Sequence, residues 1–252
     1  MNDSRLDSLI SLLDDPDESV FNSIQNEILK EGISIVDRLE HIWETSLDDL
    51  EQKRIELIIQ RIQLNDTKEK IRTWASNEEL NLFDGVFLIS RYQYPGLKLK
   101  SVQIQLEKIR KEVWLEYRQS FTALEKITIL NHYLFHRYKF KVDRSEPSSP
   151  QNCYINRVLD TRKGNSISVA VLYLLIGRLL QLPVQYFDFE DHPLIGYMDD
   201  KPLLLSVENP GSNSQVIFYI NPSNKGAIIG PKEVEYLHQS AEALGDRKPV
   251  FP

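Results

Sequence analysis

The stretch SISVAVLYLLIGRLLQLPVQYFDF, Ser166–Phe189, decides the fold. Ile167, Val169, Ala170, Val171, Leu172, Leu174, Leu175, Ile176 and Leu179 put apolar side chains on most faces of a helix. A helix apolar nearly all round is buried, so a central helix is expected from Ser166 to Gln181. Leu182-Pro183 ends it. Strand grammar follows: Val184–Phe189, Pro193–Met198, Leu203–Val207 and Val216–Ile220 read as strands. Asp199-Asp200 and Asn209-Pro210-Gly211 supply turns. Pro231–Leu244 reads as a last helix, with proline in its first turn. One buried helix followed by an antiparallel meander predicts an α+β architecture.

Upstream the chain reads as helices alone. Leu6, Leu9, Ile10, Leu12 and Leu13 keep helical spacing, and so do Val20, Phe21, Ile24, Ile28 and Leu29. Ile35, Val36, Leu39, Ile42 and Trp43 form a third stripe, and Ile55, Ile58, Ile59 and Ile62 belong to a fourth helix starting near Leu47. Asp14-Asp15-Pro16-Asp17 separates the first two, with Asp17 placed to cap the second and Gly32 to close it. Short connections make antiparallel helix pairs, and the Asp-Asp-Pro-Asp opening is similar to the start of a HEAT-type repeat. More helices are expected at Leu80–Tyr94, Lys100–Gln119, Leu124–Tyr138 and Tyr154–Leu159, with a turn at Arg162–Asn165. The resulting division is a helical region over residues 1–78, packed on an α+β domain over 79–252.

Composition narrows the class. With 252 residues, 41% hydrophobic and 27% charged, the chain is globular, neither disordered nor fibrous. Its single cysteine, Cys153, excludes a disulfide framework. Cys153 is expected to be a small buried residue. Met1-Asn2-Asp3-Ser4 opens no secretory signal, and no apolar run reaches membrane-spanning length, which points to a cytoplasmic protein with no membrane partner. Residues 1–80 hold 9 Lys and Arg against 19 Asp and Glu, a net of −10, and the remainder has a net of +3. That balance argues against a nucleic-acid partner, since phosphate-backbone binding needs clustered cations.

Three residues stand where chemistry is favoured: Ser166 at the start of the buried helix, His192 at the break before the second strand, and Asn221 at the end of the last strand. A nucleophile at a helix N-terminus gains from the dipole and the free N–H groups there. A histidine across from it can act as base, and an Asn can fix its tautomer. Each residue also has a plain structural reading: helix cap for Ser166, strand-end residue for His192, turn initiator for Asn221. His132 and His136 have a two-ligand metal spacing, but Tyr133 stands where a metalloprotease helix has Glu, so neither a metal nor any other cofactor is expected. Arg137, Lys139, Lys141 and Arg144, interleaved with Tyr138 and Phe140, make a patch of the kind that touches RNA or an acidic partner, but read rather as a solvated helix end and loop.

The ordered set Asn152-Cys153-Tyr154-Ile155-Asn156, Arg162–Ser168, Leu172–Arg178, Leu182-Pro183-Val184 and Phe218–Gly226 resembles the SirB family of transglutaminase-like bacterial proteins. Arg91-Tyr92-Gln93-Tyr94-Pro95 and Leu130-Asn131-His132 are similar to a variant found in Bacteroidetes-type members. The resemblance implies a papain-like, transglutaminase-type fold. It also implies that Ser166, His192 and Asn221 occupy the Cys, His and Asp positions of active relatives in the wider superfamily. The SirB family commonly has proline at the first of these, and Pro-Gly-His before an aromatic where this chain has Glu190-Asp191-His192-Pro193. A helix N-terminus and a nearby imidazolium bring a thiol pKa into the physiological range, but not that of a serine hydroxyl. Three expectations follow: a non-catalytic protein that binds a protein or peptide partner, a hydrolase or amidase using Ser166, His192 and Asn221, or a helical interaction module on an α+β support.

Overall fold

The computed structural model describes residues 8–13, 15, 17–118, 120–189, 192–199 and 216–236. The chain divides into two compact units, Met1–Gly96 and Leu97–Pro252.

The first unit is helical: α1 (Glu18–Leu29), α2 (Val36–Thr45), α3 (Asp49–Ala75) and α4 (Leu82–Gln93). Three begin on an acidic or amide cap. Asp17 accepts from Ser19 N, Asp48 from Leu50 N and Glu51 N, and Asn81 from Phe83 N and Asp84 N. These bonds satisfy amides that a helix start leaves without a partner. The expected apolar stripes meet in one core: Leu13, Ile28, Leu39, Ile55, Ile58 and Ile62 are all buried. Arg54 is buried too, with its guanidinium donating to the carbonyls of Leu13 and Asp15 and lying over the Phe21 ring. Gly85 lets α4 approach α3, since a Cβ there would run into the Trp74 ring.

In the second unit, α5 (Leu99–Trp114) is followed by α6 (Ala123–Asn131), which opens on a capping box between Thr122 and Glu125. The helix expected to run on to Tyr138 changes instead to a π turn, His132–Arg137. The predicted turn at Arg162–Asn165 is also different. Lys163-Gly164 forms a short strand, β2, in parallel with β1 (Lys141-Val142), a pairing local pattern cannot reveal. Between them lies α7 (Ile155–Thr161).

The expected buried helix is α8 (Ser166–Leu179), with Ser168–Ala170 and Leu172–Gly177 buried. It packs against β3 (Val184–Phe189) and β4 (His192–Met198) of an antiparallel sheet ordered β3-β4-β5-β6. The last two strands are β5 (Val216–Asn221) and β6 (Ala227–Ile229). β6 escaped the sequence reading because it is three residues long. The expected strand Leu203–Val207 and the turn at Asn209–Gly211 lie outside the described residues, as does the last helix beyond Tyr236. Helices and an antiparallel sheet in this order make the unit α+β.

One polar chain crosses this apolar core. Tyr173 is fully buried on α8, and its hydroxyl donates to Asn131 Oδ1 at 2.9 Å. Asn131 Nδ2 donates in turn to Gly226 O at 2.8 Å. Burial pushes the Tyr173 phenol well above its ordinary pKa, so it stays a neutral donor. Gly226 has φ +78°, and a Cβ there would land on the Asn131 amide.

Gly226→Ala should therefore destabilise the protein by about 1–3 kcal/mol, through both backbone strain and the clash. In an Asn131→Ala background the same change should cost less, because the clash partner is gone. Denaturant unfolding of the four proteins measures the difference. Equal costs in both backgrounds would show that the clash contributes nothing.

Candidate functional site

The N-terminus of α8 is built by its neighbours in sequence, not by Ser166. Asn165 is the cap, its side chain accepting from Ser168 N at 2.7 Å. The capping reading of Ser166 is thus corrected: the serine is the first helical residue, half-buried, with its hydroxyl outside the cap. Ser168 Oγ donates to Asn152 O at 2.6 Å, and Asn165 N donates to the same carbonyl at 3.1 Å. Gly164 sits so close to Ser168 Oγ that any side chain there would displace it. The segments Asn152-Cys153 and Gly164–Ser168, separate in sequence, therefore form one buttress.

Cys153 is exposed, not buried as expected. It ends a surface 3-10 turn, Pro150–Cys153, and its sulfur accepts from Asn165 Nδ2 at 3.2 Å.

His192 opens β4, half-exposed and paired with Phe189 across the hairpin. Asn221 ends β5 and is buried, with Oδ1 accepting from Ser223 N at 3.0 Å. This is the turn-initiating role. β4 and β5 pair with Ile195 opposite Ile220. Continued by one residue, that register sets Leu194 opposite Asn221. His192 then lies one same-face step further, diagonal to Asn221. The sheet thus puts His192 and Asn221 on one face. Ser166 comes from the helix that packs on β4. Among the described residues the Ser166 hydroxyl makes no hydrogen bond, so the pairing with His192 that a serine nucleophile requires is not formed.

The sequence reading missed two positioning residues, Asn131 and Tyr173, which tie the turn after Asn221 to α6 and α8. A signal existed, since a tyrosine inside an otherwise aliphatic buried helix needs a partner for its hydroxyl. His132 and His136 stack their rings with centroids 5.9 Å apart. Among the described residues no group of three His, Cys, Asp or Glu is placed to hold a metal. No helix among them is long and apolar enough to cross a membrane.

Comparison with known proteins agrees with this architecture. A UPF0162 protein of Xylella fastidiosa (strain Temecula1 / ATCC 700964) is 33% identical over 142 residues, covering 54% of this chain and 49% of that protein. A UPF0162 protein of Vibrio cholerae is 22% identical over 134 residues, covering 52% of this chain and 50% of its own. F-box only protein 21 of Homo sapiens is 28% identical over 187 residues, covering 64% of this chain and 29% of that protein. The match thus spans about half the length of these bacterial relatives. No solved structure matches the chain significantly. The model of the transglutaminase-like superfamily matches residues 100–248, which take in α8, the antiparallel sheet and all three candidate positions, and this chain belongs to that superfamily.

Proposed function

We propose that the protein is a SirB-type member of the superfamily that keeps the transglutaminase frame without its thiol chemistry and binds a protein or peptide partner in the cytoplasm, with its front helices arranged as HEAT-like pairs. One observation carries this reading: the first helical position of α8 holds Ser166, whose hydroxyl has no hydrogen-bonded base among the described residues. The helix terminus would stabilise a thiolate there. A hydroxyl, whose pKa lies far higher, needs its proton taken by an aligned base during attack. The frame that would orient a nucleophile is intact, and fold alone does not dictate chemistry.

The placement of His192 and Asn221 on one sheet face favours a second reading, a Ser-His-Asn hydrolase. Covalent labelling separates the two. A fluorophosphonate probe should leave Ser166 unmodified, as judged by peptide mass spectrometry of the whole chain. Labelling of the wild type that disappears in both Ser166→Ala and His192→Ala would establish the hydrolase instead.

A gain-of-function variant tests the frame itself. Ser166→Cys should place a thiol at the start of α8, and its alkylation by iodoacetamide should follow an apparent pKa below the ordinary thiol value of about 8.5. Cys153, present in every variant, serves as the internal reference. An introduced thiol no more reactive than an unperturbed one would show that the helix terminus supplies no activation.

A further inference from the structure

A different part of the same unit carries an inference independent of Ser166. Where β1 and β2 meet the Pro222–Asn224 turn, the surface folds into a cavity of about 520 Å³. Three separated segments bring cations to it: Lys141 and Arg144, Lys163, and Lys225. Lys141 and Arg144 come from the stretch expected as a solvated helix end and loop, and both are exposed. Arg137 leaves the group to pair with Glu112 at 3.2 Å, and Lys141 and Arg144 line the cavity.

The one carboxylate in the wall, Asp143, is already compensated. It accepts from Ser145 N at 3.1 Å and from Ser145 Oγ, and Lys163 lies 3.5 Å away. The Ser145 hydrogen bonds hold its carboxyl below the usual carboxylate range. Among the described residues Lys141, Arg144 and Lys225 form no ion pair. Three like charges around one concavity repel one another, and a multiply charged anion relieves that repulsion. Ser223 also lines the cavity, and its Oγ is shielded from solvent with no hydrogen-bond partner. Lys225 is held at φ +51°, a left-handed conformation that a lysine adopts only when its surroundings impose it.

We infer that this cavity binds a small phosphate-bearing organic molecule. The cations meet the phosphate, with the Arg144 guanidinium suited to a two-point contact. Phe135 and Phe140 form an apolar wall. The volume falls within the range of small-molecule sites and leaves space for an organic group beside the phosphate.

The test is calorimetric titration of the full chain with phenyl phosphate, inorganic phosphate and phenylacetate. Phenyl phosphate should bind saturably and more tightly than inorganic phosphate, with phenylacetate weakest. The triple variant Lys141→Ala, Arg144→Ala, Lys225→Ala should weaken phenyl phosphate binding by about tenfold or more. Its thermal midpoint should stay unchanged, since all three side chains are on the surface. The assignment is overturned if phenyl phosphate shows no saturable binding, if the triple variant binds as the wild type does, or if inorganic phosphate or phenylacetate matches phenyl phosphate.

Discussion

The hydrogen-bonded chain from Tyr173 through Asn131 to Gly226 is the constraint on which the functional half of the molecule depends. It joins the buried helix α8, the end of α6 and the turn that follows β5. That turn begins at Asn221 and carries Ser223 and Lys225 into the basic cavity. Without Asn131 the buried Tyr173 hydroxyl and the Gly226 carbonyl would both lose a partner, and each buried orphan costs about 1–3 kcal/mol. The chain therefore fixes two candidate sites at once. It also explains why glycine stands at position 226: the residue must adopt positive φ and lie against an amide that leaves no space for a side chain.

The N-terminus of α8 separates the residues that build the turn from the one at the candidate nucleophile position. Asn165 caps the helix, Ser168 bonds back to Asn152, and Gly164 makes way for Ser168. The structural duties of this turn all fall on those residues. Ser166 sits among them with its hydroxyl uncommitted, so exchanging the side chain at this position disturbs no cap and no buttress. Chemistry can be lost or altered here while folding is preserved. The resemblance to SirB proteins, which commonly carry proline there, fits that freedom, because proline is also well accommodated in the first turn of a helix.

Much of this was legible in the sequence wherever a local pattern carries the signal. The apolar run of α8 announced a buried helix, and Val184–Phe189 was read with its observed ends. The family resemblance rested on segments that the structure brings together, such as Asn152-Cys153 with Gly164–Ser168. What failed depended on distant partners. β1 and β2 are two residues each and exist only as a pair. The π turn at His132–Arg137 has the residue pattern of an ordinary helix. Cys153 was assigned a buried place by residue type alone, yet it ends a surface turn.

Charge shows the same limit most clearly. A net of −7 for the chain, with the acidic excess concentrated in residues 1–80, argues against an extended phosphate-binding surface. It says nothing about the charge inside a single concavity. Electrostatic interactions in water are screened within about 8 Å at physiological ionic strength. A ligand in the cavity therefore feels Lys141, Arg144, Lys163 and Lys225 most strongly. Net charge governs approach from a distance, whereas the local arrangement governs what stays bound. An acidic protein with a basic pocket can take up a small anion even where its net charge disfavours a polyanion.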